Sequence, residues 1–425
     1  MVNVAAVYST LGNPNSLIPL LVKDTASTVG MTTGSLITGK EEGQDRLIDE
    51  VGTEIIWLCA IPAFKWLFDK TIFKAYKLDS KFDVRNIKNQ DIFEKVKEHA
   101  PTDDIKKNLE KITKKQGLFK NLAFYKFVFS TGMAIISYIG LTKFKQSYTE
   151  KKIRKNLINE YYNNEKEKDN NTKNTQTTSF KGLGDVAKNF AFSPVRNMWL
   201  LDGAITGERL FDSRSPQECI GYAIKEGSTL CFMYYAGGKI QKTLENYAIK
   251  KHNRTIGLDA RVIENGNLQK SFENGSVKSS LEKFKEAISK TDSEFYEFLI
   301  KNPENDVVKA AKESKIIELY EKTDKVDTRK FIDLKEVKNI YKNIDTLYIQ
   351  YKEALKKGDS TEKFFKQVKK LKRHSILTNI GSCMFALGVV TPAVMLAKRF
   401  YKKDDTEFYT KAEIRKQLQE EGIIK

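Results

Sequence analysis

Residues 375–397, SILTNIGSCMFALGVVTPAVMLA, run for 23 positions without a charged side chain, in a chain of which 30% is Asp, Glu, Lys or Arg. As a helix this stretch is about 34 Å long, enough to cross a hydrocarbon core of roughly 30 Å. Bases bracket it: Lys369, Lys370, Lys372 and Arg373 on one side, Lys398 and Arg399 on the other. We read it as a membrane span, with these six side chains as candidate contacts to anionic headgroups, each contributing about 1 kcal/mol near a charged surface. Upstream, Phe364, Phe365, Val368 and Leu371 form a stripe at helical spacing that begins near Thr361. The span is therefore expected to be the second half of one long helix. Pro392 lacks an N–H and frees the carbonyl four residues back, which a Ser, a Thr or a neighbouring helix would have to satisfy.

Two further segments extend the membrane reading. Residues 121–142, NLAFYKFVFSTGMAIISYIGLT, carry one lysine, Lys126, and form a second span. Residues 51–68 could cross if Glu54 and Lys65 snorkel to opposite interfaces, with Trp57 and Trp66 at headgroup depth. The acids Glu41, Glu42, Asp45, Asp49 and Glu50 precede this segment and suit a helix N-terminal half through the macrodipole. Residues 1–40, rich in Gly, Ser, Thr and Asn, read as a flexible or docked segment, and residues 163–179 as a polar low-complexity linker.

The centre of the chain is marked by helix signals. Ser193-Pro194 and Ser215-Pro216 each place a Ser cap before a first-turn proline, and Glu218 completes a capping box with Ser215. The first of these helices is predicted to end at Gly203, and GAITGERLFDSR to be a connection whose charges face water. The second is predicted to run to Gly237-Gly238 with Lys225 and Glu226 at its middle. Residues 180–240 are thus capped helices, buried or membrane-associated. Residues 241–374 read as a soluble helical bundle: a capping box Thr291–Glu294, a helix start at Asn302-Pro303, and a helix opening at Asp333–Glu336. That last helix places Val337, Ile340, Tyr341, Ile344, Leu347, Tyr348, Tyr351 and Leu355 on one face before Gly358 ends it. Residues 398–425 form a basic tail with a short helix from Thr410–Glu413.

The fold class expected is all-α: an integral membrane protein with two to four membrane-embedded helices, long helices extending out of the membrane, and a soluble bundle. Counting Lys and Arg beside the segments puts residues 241–374 in the cytoplasm of a multi-pass protein.

Composition narrows function less. The net charge of +18 favours an anionic partner. Positive and negative residues alternate along nearly every helix, as on a solvated surface, so nucleic acid is disfavoured and an anionic bilayer preferred. Cys59, Cys219, Cys231 and Cys383 form no C-x-x-C pair, and His99, His252 and His374 are scattered, so spacing gives no metal site, no cofactor and no catalytic constellation. The expected role is a structural or interaction component rather than an enzyme, with the bundle as the surface for a protein partner. A second reading is a small-solute transporter or channel component using Glu54 as an embedded charge, and a third is a peripheral membrane-binding helical protein. The simpler expectation puts Glu54 at an interface and leaves Lys225 and Glu226 facing solvent.

Overall fold

The computed structural model describes residues 4–13, 16–164, 194–214, 216–321, 323–401 and 409–424. The protein is all-helical, and among the described residues the only extended pairing is an isolated bridge between Leu319 and Val326. The linker residues 163–179 and the Ser193 and Ser215 caps fall wholly or largely outside the described part, as do the side chains of Thr410 and Arg399.

The first helices are α1 (Val4–Leu11), α2 (Ile18–Thr38) and α3 (Lys40–Phe68), the last continuing through a π-helical turn at Asp69–Phe73. Next come α4 (Gln90–Glu98), α5 (Asp103–Lys114) and α6 (Gln116–Asn164), which at 49 residues is about 73 Å long. Helix α7 spans Pro194–Phe211; α8 (Pro216–Leu230) passes through a π turn at Cys231–Ala236 into α9 (Gly237–His252). Short helices α10 (Ala260–Glu264), α11 (Asn267–Glu273), α12 (Ser276–Ile288), α13 (Asp292–Lys301) and α14 (Asp306–Glu313) follow. Helix α15 (Leu334–Lys356) leads to α16 (Thr361–Phe385), a π turn at Ala386–Val390, α17 (Thr391–Tyr401) and α18 (Tyr409–Glu420).

Among the described residues, three continuous helical stretches are long and apolar enough to cross a membrane: Lys40–Phe73, Gln116–Tyr161 and Thr361–Lys398. They contain the three segments read from hydropathy. The third begins at Thr361, as the stripe of Phe364, Phe365 and Val368 requires.

The chain divides into two compact units. One comprises Met1–Pro19, Leu67–Lys126 and Gly238–Ile380. Its core is aromatic: Phe284 meets Phe295 edge-on at 5.4 Å, Phe272 meets Phe365 at 5.1 Å, and Phe73 meets Phe119 at 5.8 Å. The Thr291–Glu294 capping box is present, and Asp333 caps α15. Gly358 closes α15 at φ +86°, where only glycine is unstrained, so that the Asp359 N–H turns back to the Ala354 carbonyl at 3.1 Å. The predicted start at Asn302-Pro303 shifts: Asn302 is the C-cap of α13, and Asn305 caps α14 with its side chain. Of the predicted α15 face, Leu355 is exposed and Gln350 and Ala354 are buried instead.

The other unit comprises Leu20–Trp66, Phe127–Gly237 and Gly381–Lys425. Residues 25–38, which composition left as flexible or docked, are helical, and small residues explain how α2 packs. A Cβ built on Gly30 would lie 2.1 Å from the Gly388 carbonyl oxygen, and one on Gly388 2.8 Å from the Ala26 carbonyl oxygen. Two helix backbones touch there, an approach only glycine allows. Gly388 stands four residues before Pro392, so the close approach falls at the turn that the proline follows. One turn along, the Thr391 hydroxyl donates to the Ala386 carbonyl at 3.0 Å across the π turn. Helix α3 meets α6 with Gly52 against the Leu141 side chain. Ile414 and Leu418 of α18 pack on Ile153 and Leu157 of α6.

Candidate functional site

Helix α7 corrects the sequence reading. It continues through Gly203 and Gly207 to Phe211, so the segment expected as a water-facing connection is helical. A mid-helix glycine costs only about 1 kcal/mol relative to alanine. Burial of Leu201, Ile205 and Arg209, four residues apart on one face, offsets it. Helix α8 likewise does not stop at Gly237-Gly238 but continues as α9 to His252.

Arg209 is the centre of a buried ionic network. Its Nη2 lies 3.1 Å from Asp49 Oδ1 and donates to Thr53 Oγ1 at 3.0 Å. Its Nη1 donates to Glu226 and its Nε to the hydroxyl of Tyr138. Lys225 contacts Glu50 at 2.8 Å and Glu226 at 3.0 Å. Lys145 of α6 donates to the Tyr222 hydroxyl at 2.9 Å and faces Asp49 at 3.6 Å. Arg214 joins Asp45 at 3.1 Å to Glu218 at 2.7 Å, and Arg46 pairs with Asp49 and Glu50 on its own helix.

The network contains Arg46, Lys145, Arg209, Arg214 and Lys225 against Asp45, Asp49, Glu50, Glu218 and Glu226, which is five charges of each sign. None of these side chains is more than 16% exposed. An unpaired charge would be untenable at such burial, so the balance is what permits the layer to exist. Tyr222 fills its middle, with Arg46 5.3 Å and Arg209 5.6 Å from its ring centroid. At the edge, Glu218 accepts hydrogen bonds from the Arg214 backbone N–H at 2.7 Å and from its guanidinium at 2.7 Å.

Lys225 and Glu226 are thus core groups and not solvent-facing ones. Glu54 stands one turn beyond Glu50, half-buried, and accepts a hydrogen bond from the Thr28 hydroxyl at 2.8 Å. Asp202 accepts from the Tyr234 hydroxyl.

The proposed headgroup residues separate. Lys370 is exposed; Lys369 and Lys398 are half-buried. Lys372 is 3% exposed and its ammonium donates to the Ile256 carbonyl at 2.9 Å, so it offers no surface to a headgroup. Its position in the sequence hid this, because burial follows the inner face of α16 through Val368, Lys372 and Ser375. Arg373 is held by both oxygens of Glu264, at 2.8 and 2.7 Å.

Comparison with family models, curated proteins and solved structures gives no match to this chain.

Proposed function

We propose that this is an integral membrane protein of structural or partner-binding type. Its unit built on α2, α3, α6, α7, α8 and α17 would sit in the bilayer, with residues 241–374 as the cytoplasmic surface for a protein partner. The carrying observation is an inverted distribution of polarity in that unit. Its interior includes the ten charged side chains of the network, while apolar residues face outward along the spans: Val51, Ile55 and Cys59 on α3, Ile136 and Ile139 on α6, and Val390 and Val394 on either side of Pro392. Water disfavours that arrangement and hydrocarbon favours it. Five of the ten charges also stand at the ends of apolar runs: Asp45, Arg46, Asp49 and Glu50 before Val51 on α3, and Lys145 after Thr142 on α6. Near an interface the cost of embedding them is smaller than at mid-bilayer.

A network in which every charge has a counter-charge within 4 Å supports a structural role, since the charges face one another. Transport is the second reading, and Glu54 favours it: its carboxylate lies beyond the layer, within the apolar run, and accepts from the Thr28 hydroxyl. Alkaline-carbonate extraction and labelling of Cys59 by a charged maleimide test the membrane reading. Retention in the pellet and an unlabelled Cys59 in sealed and opened vesicles are expected. Release into the wash would sink the proposal. Loss of a solute flux in Glu54→Gln, with folding intact, would replace the scaffold reading by the transporter.

A further inference from the structure

We propose that Glu98, His99 and Glu297 form a binding site for a divalent cation of the Zn2+ class. The three residues lie in the unit that contains α4 and α13, and the site is independent of the membrane reading. Glu98 is the last residue of α4 and His99 its C-cap. Glu297 stands in the middle of α13, which packs against α4; the Ser293 hydroxyl donates to the Asp91 carbonyl at 3.2 Å and fixes the two helices in register.

One ligand atom from each residue falls within 4.8 Å of the others, and His99 Nε2 is 3.8 Å from Glu297 Oε1. Bonds of about 2.0–2.2 Å to a tetrahedral Zn2+ place ligand atoms about 3.4 Å apart, so closing the site needs side-chain torsions and no backbone movement. The imidazole is prepared for this. Its Nε2 is shielded from solvent and has no hydrogen-bond partner, an arrangement that a bound cation would satisfy.

A cation already occupies the carboxylate side. The Lys95 ammonium bridges Glu98 at 2.9 Å and Glu297 at 2.8 Å, which shows that the two acids converge on one positive charge. Lys95 is on a flexible stem at the surface, and Lys301 also reaches Glu297. A divalent ion that recruits the imidazole nitrogen gains a ligand that the ammonium cannot use. One nitrogen and two carboxylate oxygens suit Zn2+, Co2+ or Mn2+ rather than a soft ion, and three protein ligands leave a coordination position for water.

The test titrates the purified full chain with ZnCl2 by calorimetry and with Co2+ by visible absorption, which reports coordination geometry. We expect one saturable equivalent, at least tenfold weaker binding in His99→Ala and in Glu297→Gln, and tighter binding in Lys95→Met because the competing ammonium is gone. Thermal melts accompany each variant. If His99→Ala fails to fold, Lys95→Met decides, since unchanged or weakened binding in that variant overturns the site. Binding that survives His99→Ala undiminished, or no saturation below millimolar Zn2+, overturns it as well.

Discussion

The contact between α2 and the π turn before α17 makes the sharpest demand on sequence, and Gly30→Ala tests it. The added methyl would sit 2.1 Å from the Gly388 oxygen, and 2.7 and 2.8 Å from its carbonyl carbon and Cα. A carbon–oxygen contact settles at about 3.3 Å, so the helices must part by on the order of 1 Å at the crossing. Neither side can yield locally, because the obstructing atoms are backbone. Gaps of that size forfeit a quarter to a half of each dispersion contact along Ala26, Gly30 and Gly34 against Gly388, Pro392 and Leu396. Overpacking of ordinary cores costs about 1–3 kcal/mol, and a backbone clash belongs at the upper end. For a cooperative unit of roughly 200 residues, about 3 kcal/mol lowers Tm by about 6–12 °C. The control is Gly132→Ala, in mid-α6 with open space around it, where alanine should be neutral or stabilising by up to about 1 kcal/mol. Thermal unfolding in one mild detergent compares the two. A Gly30→Ala melt within about 1 °C of wild type would refute the close-approach argument.

Removing one member of the ionic network should be costly: Arg209→Ala leaves the buried layer one positive charge short, with Asp49 keeping only Lys145 and Arg46 and Glu226 only Lys225, and a loss of about 3–5 kcal/mol in a melt is expected. Replacing the pair together, Arg209→Met with Glu226→Leu, should recover much of it. Lys372→Met strips the Ile256 carbonyl of its donor and should cost about 1–3 kcal/mol, whereas Lys370→Met on the exposed face should stay within about 0.5 kcal/mol; equal melts would return Lys372 to the surface.

Long-range periodicity was the legible part of the sequence. Runs with few or no charges locate the three apolar helices, and the stripe of Phe364, Phe365, Val368 and Leu371 over two turns places the start of the third near Thr361. The ionic network is hidden because its members have local explanations: Asp45, Asp49 and Glu50 as acids of a helix N-terminal half, Arg209 in a glycine-bearing connection. Only pairing across α3, α6, α7 and α8 gives them one meaning. The usable signal was an excess of acids at positions 45, 49 and 50, set against bases at 145, 209, 214 and 225, all adjoining apolar runs. Glu98, His99 and Glu297 were beyond reach for the same reason, since about two hundred residues separate the imidazole from its distal partner.

The ionic layer also imposes an order on biogenesis. The acids of α3 leave the ribosome first, while Arg209 and Lys225 follow roughly 160 residues later. At about 5–20 residues per second that interval is about 8–30 s, during which Asp49 and Glu50 have no counter-charge from α7 or α8. Until then Arg46 on the same helix and, later, Lys145 of α6 are the bases at hand, so part of the negative charge stays in contact with water. Settling of α3 in its final environment is thus a late event, gated by translation of the helices that neutralise it.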